Sequence, residues 1–189
     1  MIPFRTRLLP AALPLVLAIT SCSEPLAPTP APGRLLFESE WTSVLVPYWG
    51  GYSVDADGRV WSYDSGPDPI AIPRGDVYTA AELELKYAQN RHLRAQLRDG
   101  ETVARYDEVG AVLKAGVTEA KPACPDLAIE RFYALVYDAR HDRYTRVLLH
   151  VRGGVGQENT APEASDLYRW LLQVTEEGYY GPNECDPYE

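Results

Sequence analysis

Two runs of alternating residues constrain this chain more than any other feature. From Ala128 to Asp138, Phe132, Ala134 and Val136 alternate with polar or aromatic positions, and from Arg143 to Arg152, Val147, Leu149 and Val151 do the same. Successive side chains of a strand point to opposite faces, so this period of two marks half-buried strands. Two such runs a few residues apart close into an antiparallel hairpin. One face is expected to be core. The other carries Tyr133, Tyr137, Tyr144, Arg146 and His150, whose apolar bodies and polar ends suit a partly covered surface.

A second hairpin signal lies upstream. Residues 48–64 read Y-W-G-G-Y-S-V-D-A-D-G-R-V-W-S-Y-D, two strand-forming runs either side of Asp57-Gly58, which accepts the positive φ of a tight turn. Leu45-Val46 adds a short earlier strand, ended by Pro47. Thr79-Ala80-Ala81-Glu82 has capping-box spacing, with Tyr78 and Leu83 placed as a hydrophobic staple. The charges continue the pattern, with Glu82 and Glu84 early, Arg91, Arg94 and Arg98 late, and Asp99-Gly100 as a stop, predicting a helix over 80–98. A second helix over 101–115 has Tyr106, Val109 and Leu113 on one face and ends at Gly116. Thr160-Ala161-Pro162-Glu163 is another capping box, opening a helix through Leu167, Trp170, Leu171 and Val174. The expected fold is α+β, an antiparallel sheet from two β-hairpins with helices packed against it. A hairpin followed by a T-x-x-E helix occurs twice, the pattern of an ancient duplication, but no residue identity between the halves supports one.

The N-terminus is of a different kind. Arg5 and Arg7 precede a mostly apolar run, Leu8 to Ile19, and small residues then lead into Cys22. As a helix that run reaches only about 18 Å, against a hydrocarbon core of about 30 Å. Pro10 and Pro14 would also kink it, so a lasting span is not expected. Ile19-Thr20-Ser21-Cys22 resembles the lipobox of bacterial lipoproteins. The resemblance implies removal of residues 1–21, a lipid thioether on Cys22, and acylation of the new amino terminus with palmitate or a similar chain. Several acyl chains give the stable attachment that one cannot. An ordinary signal peptide cut nearby, or an uncleaved anchor, is the alternative. Ser23 is not the aspartate that retains many Gram-negative lipoproteins at the inner membrane, which favours the cell outer membrane. Residues 22–33 form the lipidated cysteine and a linker, in which Pro25, Pro28, Pro30 and Pro32 block helix and sheet. At about 3.1 Å per residue, the extended linker holds the domain some 30 Å from the lipid. Residues 34–189 then make a single globular α+β domain.

With Cys22 assigned to lipid, Cys124 and Cys185 are left as an even pair in an oxidising compartment, and a disulfide is expected between them. It would restrict the unfolded chain by about 4 kcal/mol in the entropy account and pin the tail. The formal charge is −9 before the loss of Arg5 and Arg7 makes it two units more negative. Such a surface lacks the basic face that nucleic acid requires, and it leaves membrane attachment to the acyl chains.

No constellation in the sequence points to chemistry. Ser53, Asp55, Asp57, Gly58 and Asp64 echo a calcium loop, but serine stands first, aspartate last, and Gly50-Gly51 occupy the place of a helix; a plain hairpin turn is favoured. Residues 152–156, R-G-G-V-G, lack the Lys-Ser/Thr of a phosphate loop and read as a flexible strand-to-helix connection. His92, His141 and His150 show no zinc spacing, no serine sits in a nucleophile elbow, and no cofactor is implied. Aromatic residues are the remaining handle. Trp41, Tyr48, Trp49, Tyr52, Trp61 and Tyr63 crowd the first hairpin, and Tyr and Trp give broad contact area at little entropic loss. The expectation is a non-catalytic envelope lipoprotein that binds another protein, with Trp49, Tyr52, Trp61 and Tyr63 as candidate binding residues. A glycan-binding module using Trp49 and Trp61, or a periplasmic hydrolase with a site assembled from distant residues, is the alternative.

Overall fold

The turn at Asp57-Gly58 forms because Asp55 organises it. The Asp55 carboxylate accepts the backbone N–H groups of Asp57 and Arg59, each at 3.0 Å, and Gly58 takes φ +78°. The computed structural model describes residues 33–43, 45, 48–66, 75–123 and 128–175. Its strands are β1 (Leu35–Thr42), β2 (Trp49–Asp55), β3 (Arg59–Asp64), β4 (Val77–Thr79), β5 (His92–Gln96), β6 (Lys121–Pro122), β7 (Ile129–Asp138), β8 (Arg143–Gly153) and β9 (Val155–Glu158). Its helices are α1 (Ala80–Ala88), α2 (Glu101–Tyr106), α3 (Val109–Val112) and α4 (Pro162–Thr175).

The architecture is α+β. A nine-stranded sheet runs in the order β5-β3-β2-β1-β7-β8-β9-β6, with β4 paired to the start of β8, and every pairing is antiparallel. The sheet is thus wider than two hairpins. β1, whose residues carry no clear strand signal in the sequence, lies inside the sheet and joins β2 to β7. Of the short strand expected at Leu45-Val46, Leu45 is an exposed bend residue and Val46 lies outside the described residues.

Each face of the sheet has its own core. On one, α3 and α4 cover Leu36, Phe37, Val54, Val60, Phe132, Ala134 and Leu149. On the other, α1 supplies Leu83 and Tyr87 to a cluster with Tyr63, Tyr78, Leu135 and Tyr144. Both faces of β7 are therefore buried, and the tyrosine face is a second core rather than a half-open surface. These are the α4 face and the α1 face. The two T-x-x-E segments consequently serve opposite faces, so the pattern of duplicated halves has no counterpart in the fold.

Several local expectations are corrected. The Thr79 box forms, with Thr79 Oγ1 accepting from Glu82 N at 3.2 Å and Glu82 Oε2 accepting from Thr79 N at 2.7 Å. But α1 stops at Ala88, because Asn90 takes φ +42° and the chain turns back along β3 as β5. The expected 101–115 helix is divided. At Glu108 and Ala111 the backbone N–H groups bond to Arg105 and Glu108, three residues back rather than four. That tightening rotates Val109 and Val112 into the core and leaves Leu113 half exposed. Val155–Glu158 is a strand folding back on β8, not a flexible connection, and the chain turns at Gly153-Gly154. The second capping box is replaced: Thr160 donates to the Gly116 carbonyl, and Asn159 Oδ1 accepts from Ala161 N at 3.0 Å. A bulge between Phe132 and Tyr133 shifts the register, pairing His150 with Phe132. His150 therefore stacks on Tyr168 of α4 instead of joining Tyr133.

Candidate functional site

Lys86 lies on the buried stripe of α1 with Leu83 and Tyr87, so a cation is driven into the α1 face of the sheet. Beneath it β1 presents Glu38 and Glu40, which alternate with Phe37, Ser39 and Trp41 and so share one face. Lys86 Nζ donates to Glu38 Oε1 at 2.5 Å and also to Glu40 Oε2. Arg146 of β8 completes a quartet, with Nη1 3.3 Å from Glu40 Oε2 and 3.6 Å from Glu38 Oε2. The Lys86 ammonium lies 5.6–5.8 Å from the ring centres of Tyr63, Tyr78 and Tyr87, and the Arg146 guanidinium lies 3.9 Å from that of Tyr133. Tyr63 donates to Glu38 Oε1 at 2.6 Å, and Arg146 Nη2 donates to the Tyr133 hydroxyl at 2.8 Å. Two carboxylates and two cations are thus sealed together with their charges balanced.

Gly51 makes room for this arrangement. A Cβ at that position would meet the Ser39 carbonyl oxygen at 1.9 Å and the Tyr63 hydroxyl at 2.8 Å. The bare backbone of β2 is what lets Tyr63 reach across to Glu38 on β1.

The electrostatics hold Glu40, Lys86 and Arg146 in their ionised forms. Burial works to raise the Glu40 pKa, but Lys86 and Arg146 outweigh it and bring it below the ordinary 4.5. Burial likewise depresses Lys86, yet Glu38 and Glu40 together hold it above 10.5. Burial, reinforced by Glu38, pushes Tyr63 and Tyr87 well above 10.0, so neither phenol ionises near neutrality. Lys86 is therefore an ammonium clamped by two carboxylates, not a neutral amine able to attack. Glu38 is wholly buried, and its carboxylate has no opening toward solvent. Chemically the quartet acts as a polar bolt between α1 and the sheet.

The four aromatic candidates do not form one surface. Tyr63 is buried in the quartet's shell, and Trp49 packs beside it at 6.1 Å between ring centres. Tyr52 points to the α4 face and packs on that core. Trp61 stands apart near the sheet edge, with Nε1 3.3 Å from Asp55 Oδ2 and the Arg91 guanidinium 4.2 Å above its ring. Trp41 and Tyr48, the other aromatics of that segment, pair with each other at 5.2 Å. The calcium-loop residues are spent on the turn. Asp55 accepts from Asp57, Arg59 and Trp61, so donors surround the carboxylate that a cation would need, and Ser53 is buried in β2. Cys22, Cys124 and Cys185 lie outside the described residues, as does the linker up to Pro32.

Sequence reasoning missed the quartet, although one signal was present: a lysine at the core spacing of α1, three residues after Leu83. Compared with protein-family models, curated proteins and solved structures, the chain matches none, which leaves the arrangement of its own residues as the guide to its role.

Proposed function

We propose that this is a lipid-anchored protein of the bacterial envelope, held by Cys22 and favouring the outer membrane, whose folded part binds another protein without catalysis. The observation that carries the reading is the outer edge of the sheet. There Trp61, capped by Arg91, lies opposite Leu93 of β5, which is 54% exposed. An accessible aromatic, arginine and leucine in one place is the composition of protein contact sites. The buried carboxylates and cations of the quartet are clamped to one another under α1 and so offer no free acid or base for hydrolysis. Glycan binding is the weaker reading, because a sugar stacking on Trp61 would have to displace a guanidinium from one ring face.

The test is site-specific photo-crosslinking of the full-length protein in its native membrane. A photoreactive residue at position 93 is expected to give a discrete adduct with an envelope protein, whereas one at position 113, exposed on α3's side, is not. Absence of an adduct from positions 85, 93, 113 and 117 alike would remove the protein-binding reading. The anchor is tested separately: intact mass should show acyl chains on a chain beginning at Cys22, lost in Cys22→Ser.

A further inference from the structure

We infer that one water molecule is bound inside the α1 face as a fixed part of the fold, held between Glu38 Oε2, Ser53 Oγ and the Tyr87 hydroxyl. The inference concerns the interior alone and is independent of the protein-binding reading. Glu38 and Ser53 are wholly buried, Tyr87 is 1% exposed, and none of these three atoms has a hydrogen-bond partner among the described residues. Buried polar atoms left in this condition are costly, and internal water is the usual means of satisfying them.

The three atoms belong to one place. Glu38 and Ser53 are direct partners across β1 and β2, so their side chains leave the sheet on the same face, with Cβ atoms about 4.5–5.5 Å apart. Tyr87 comes down on them from α1. Its ring lies 4.8 Å from that of Tyr63, whose hydroxyl occupies the other oxygen of Glu38. Burial first, and then the charge of Glu38, push the Tyr87 phenol up, so carboxylate and hydroxyl are near neighbours, yet they form no direct hydrogen bond. A near miss of this kind is the distance that a bridging water spans. Ser39 Oγ is also unpartnered, but Ser39 lies beside Phe132 on the α4 face and stands apart from the group.

Charge and size decide what is bound. A cation is refused, because Lys86 Nζ already donates to both Glu38 and Glu40 and Arg146 Nη1 lies 3.6 and 3.3 Å from them. An anion is refused by the two carboxylates. The site needs a neutral molecule that donates to Glu38 Oε2 and both donates to and accepts from hydroxyl groups. Water does this, with three partners, the number an internal water commonly has.

The experiment is a crystal structure of the full-length protein, grown from detergent at a resolution that shows ordered water. One density peak is expected within about 2.6–3.2 Å of all three atoms. A direct bond from Ser53 or Tyr87 to Glu38 Oε2, or three atoms with no peak between them, overturns the inference. Thermal unfolding of Ser53→Ala, Tyr87→Phe and the double variant supplies a second reading. If one water serves both hydroxyls, the first substitution loosens it for the second, and the double variant should lose less Tm than the two single losses together. Strictly additive losses would count against a shared water, and a variant that fails to fold leaves the wild-type density to decide.

Discussion

Lys86 shows how much one side chain settles here. It is 2% exposed and touches carboxylates contributed from 48 and 46 residues away, so it joins α1 to β1 with charge instead of hydrocarbon. Removing one member of a buried ion group leaves its partners charged and unpaired, which costs about 3–5 kcal/mol. Lys86→Met should therefore lower the unfolding free energy measured by urea titration by that amount, and adding Glu38→Gln to it should recover part of the loss. Gly51→Ala pushes a methyl group into β1 and the Tyr63 hydroxyl, and should cost about 1–3 kcal/mol in the same assay. The pH dependence follows from the same residues. Glu40 titrates lower in the folded state than its ordinary 4.5, so its stabilisation is present above that value and is lost as pH falls through the folded pKa. Lys86 titrates higher than 10.5, so its contribution is present below that value and is lost as pH rises through the folded pKa. Tyr63 and Tyr87 act in the same direction, because the unfolded phenols ionise above 10.0 while the folded ones do not. Unfolding free energy measured against pH should show a plateau from about 5 to 9 and fall on both sides.

At the scale of elements, α1 is set by its first turn and by what it covers. Thr79→Ala removes the acceptor for Glu82 N and should cost about 1 kcal/mol, read as a drop in Tm and faster amide exchange over residues 80–88. That start was legible in the sequence because a capping box is local, spanning four residues. So were the strands of β2, β3, β7 and β8, whose alternation and turn residues lie within short windows. The end of α1 was not legible. Arginines at 91, 94 and 98 suit a helix C-terminus by spacing and charge, and only the pairing of β5 with β3 makes them edge residues. β1 was hidden for a related reason. Glu38 and Glu40 look like solvent positions until Lys86 and Arg146 arrive from elsewhere in the chain. The bulge at Phe132 was equally invisible, and it alone moves His150 from one face to the other. What the sequence concealed is whatever depends on partners distant in the chain, and that includes the whole quartet.

For the whole molecule, two cores on opposite faces of one sheet divide the roles. The α4 face is closed by hydrocarbon and aromatic packing, such as Phe37 against Trp170 at 5.1 Å. The α1 face is closed over charges, so pH acts on it through Glu40, Lys86 and the buried tyrosines. The stretch from Asn90 to Arg98, which includes β5, carries three arginines and no acid in an otherwise acidic molecule. β1 carries one more consequence, a mechanical one. It is the first strand after residue 33, yet it lies in the middle of the sheet, bonded antiparallel to β2 on one side and β7 on the other. A pull applied through the N-terminal segment runs along the length of this strand. It must shear two ladders of hydrogen bonds together, where an edge strand would peel away one bond at a time. The topology thus sets two ladders, not one, against a load applied from the N-terminal side.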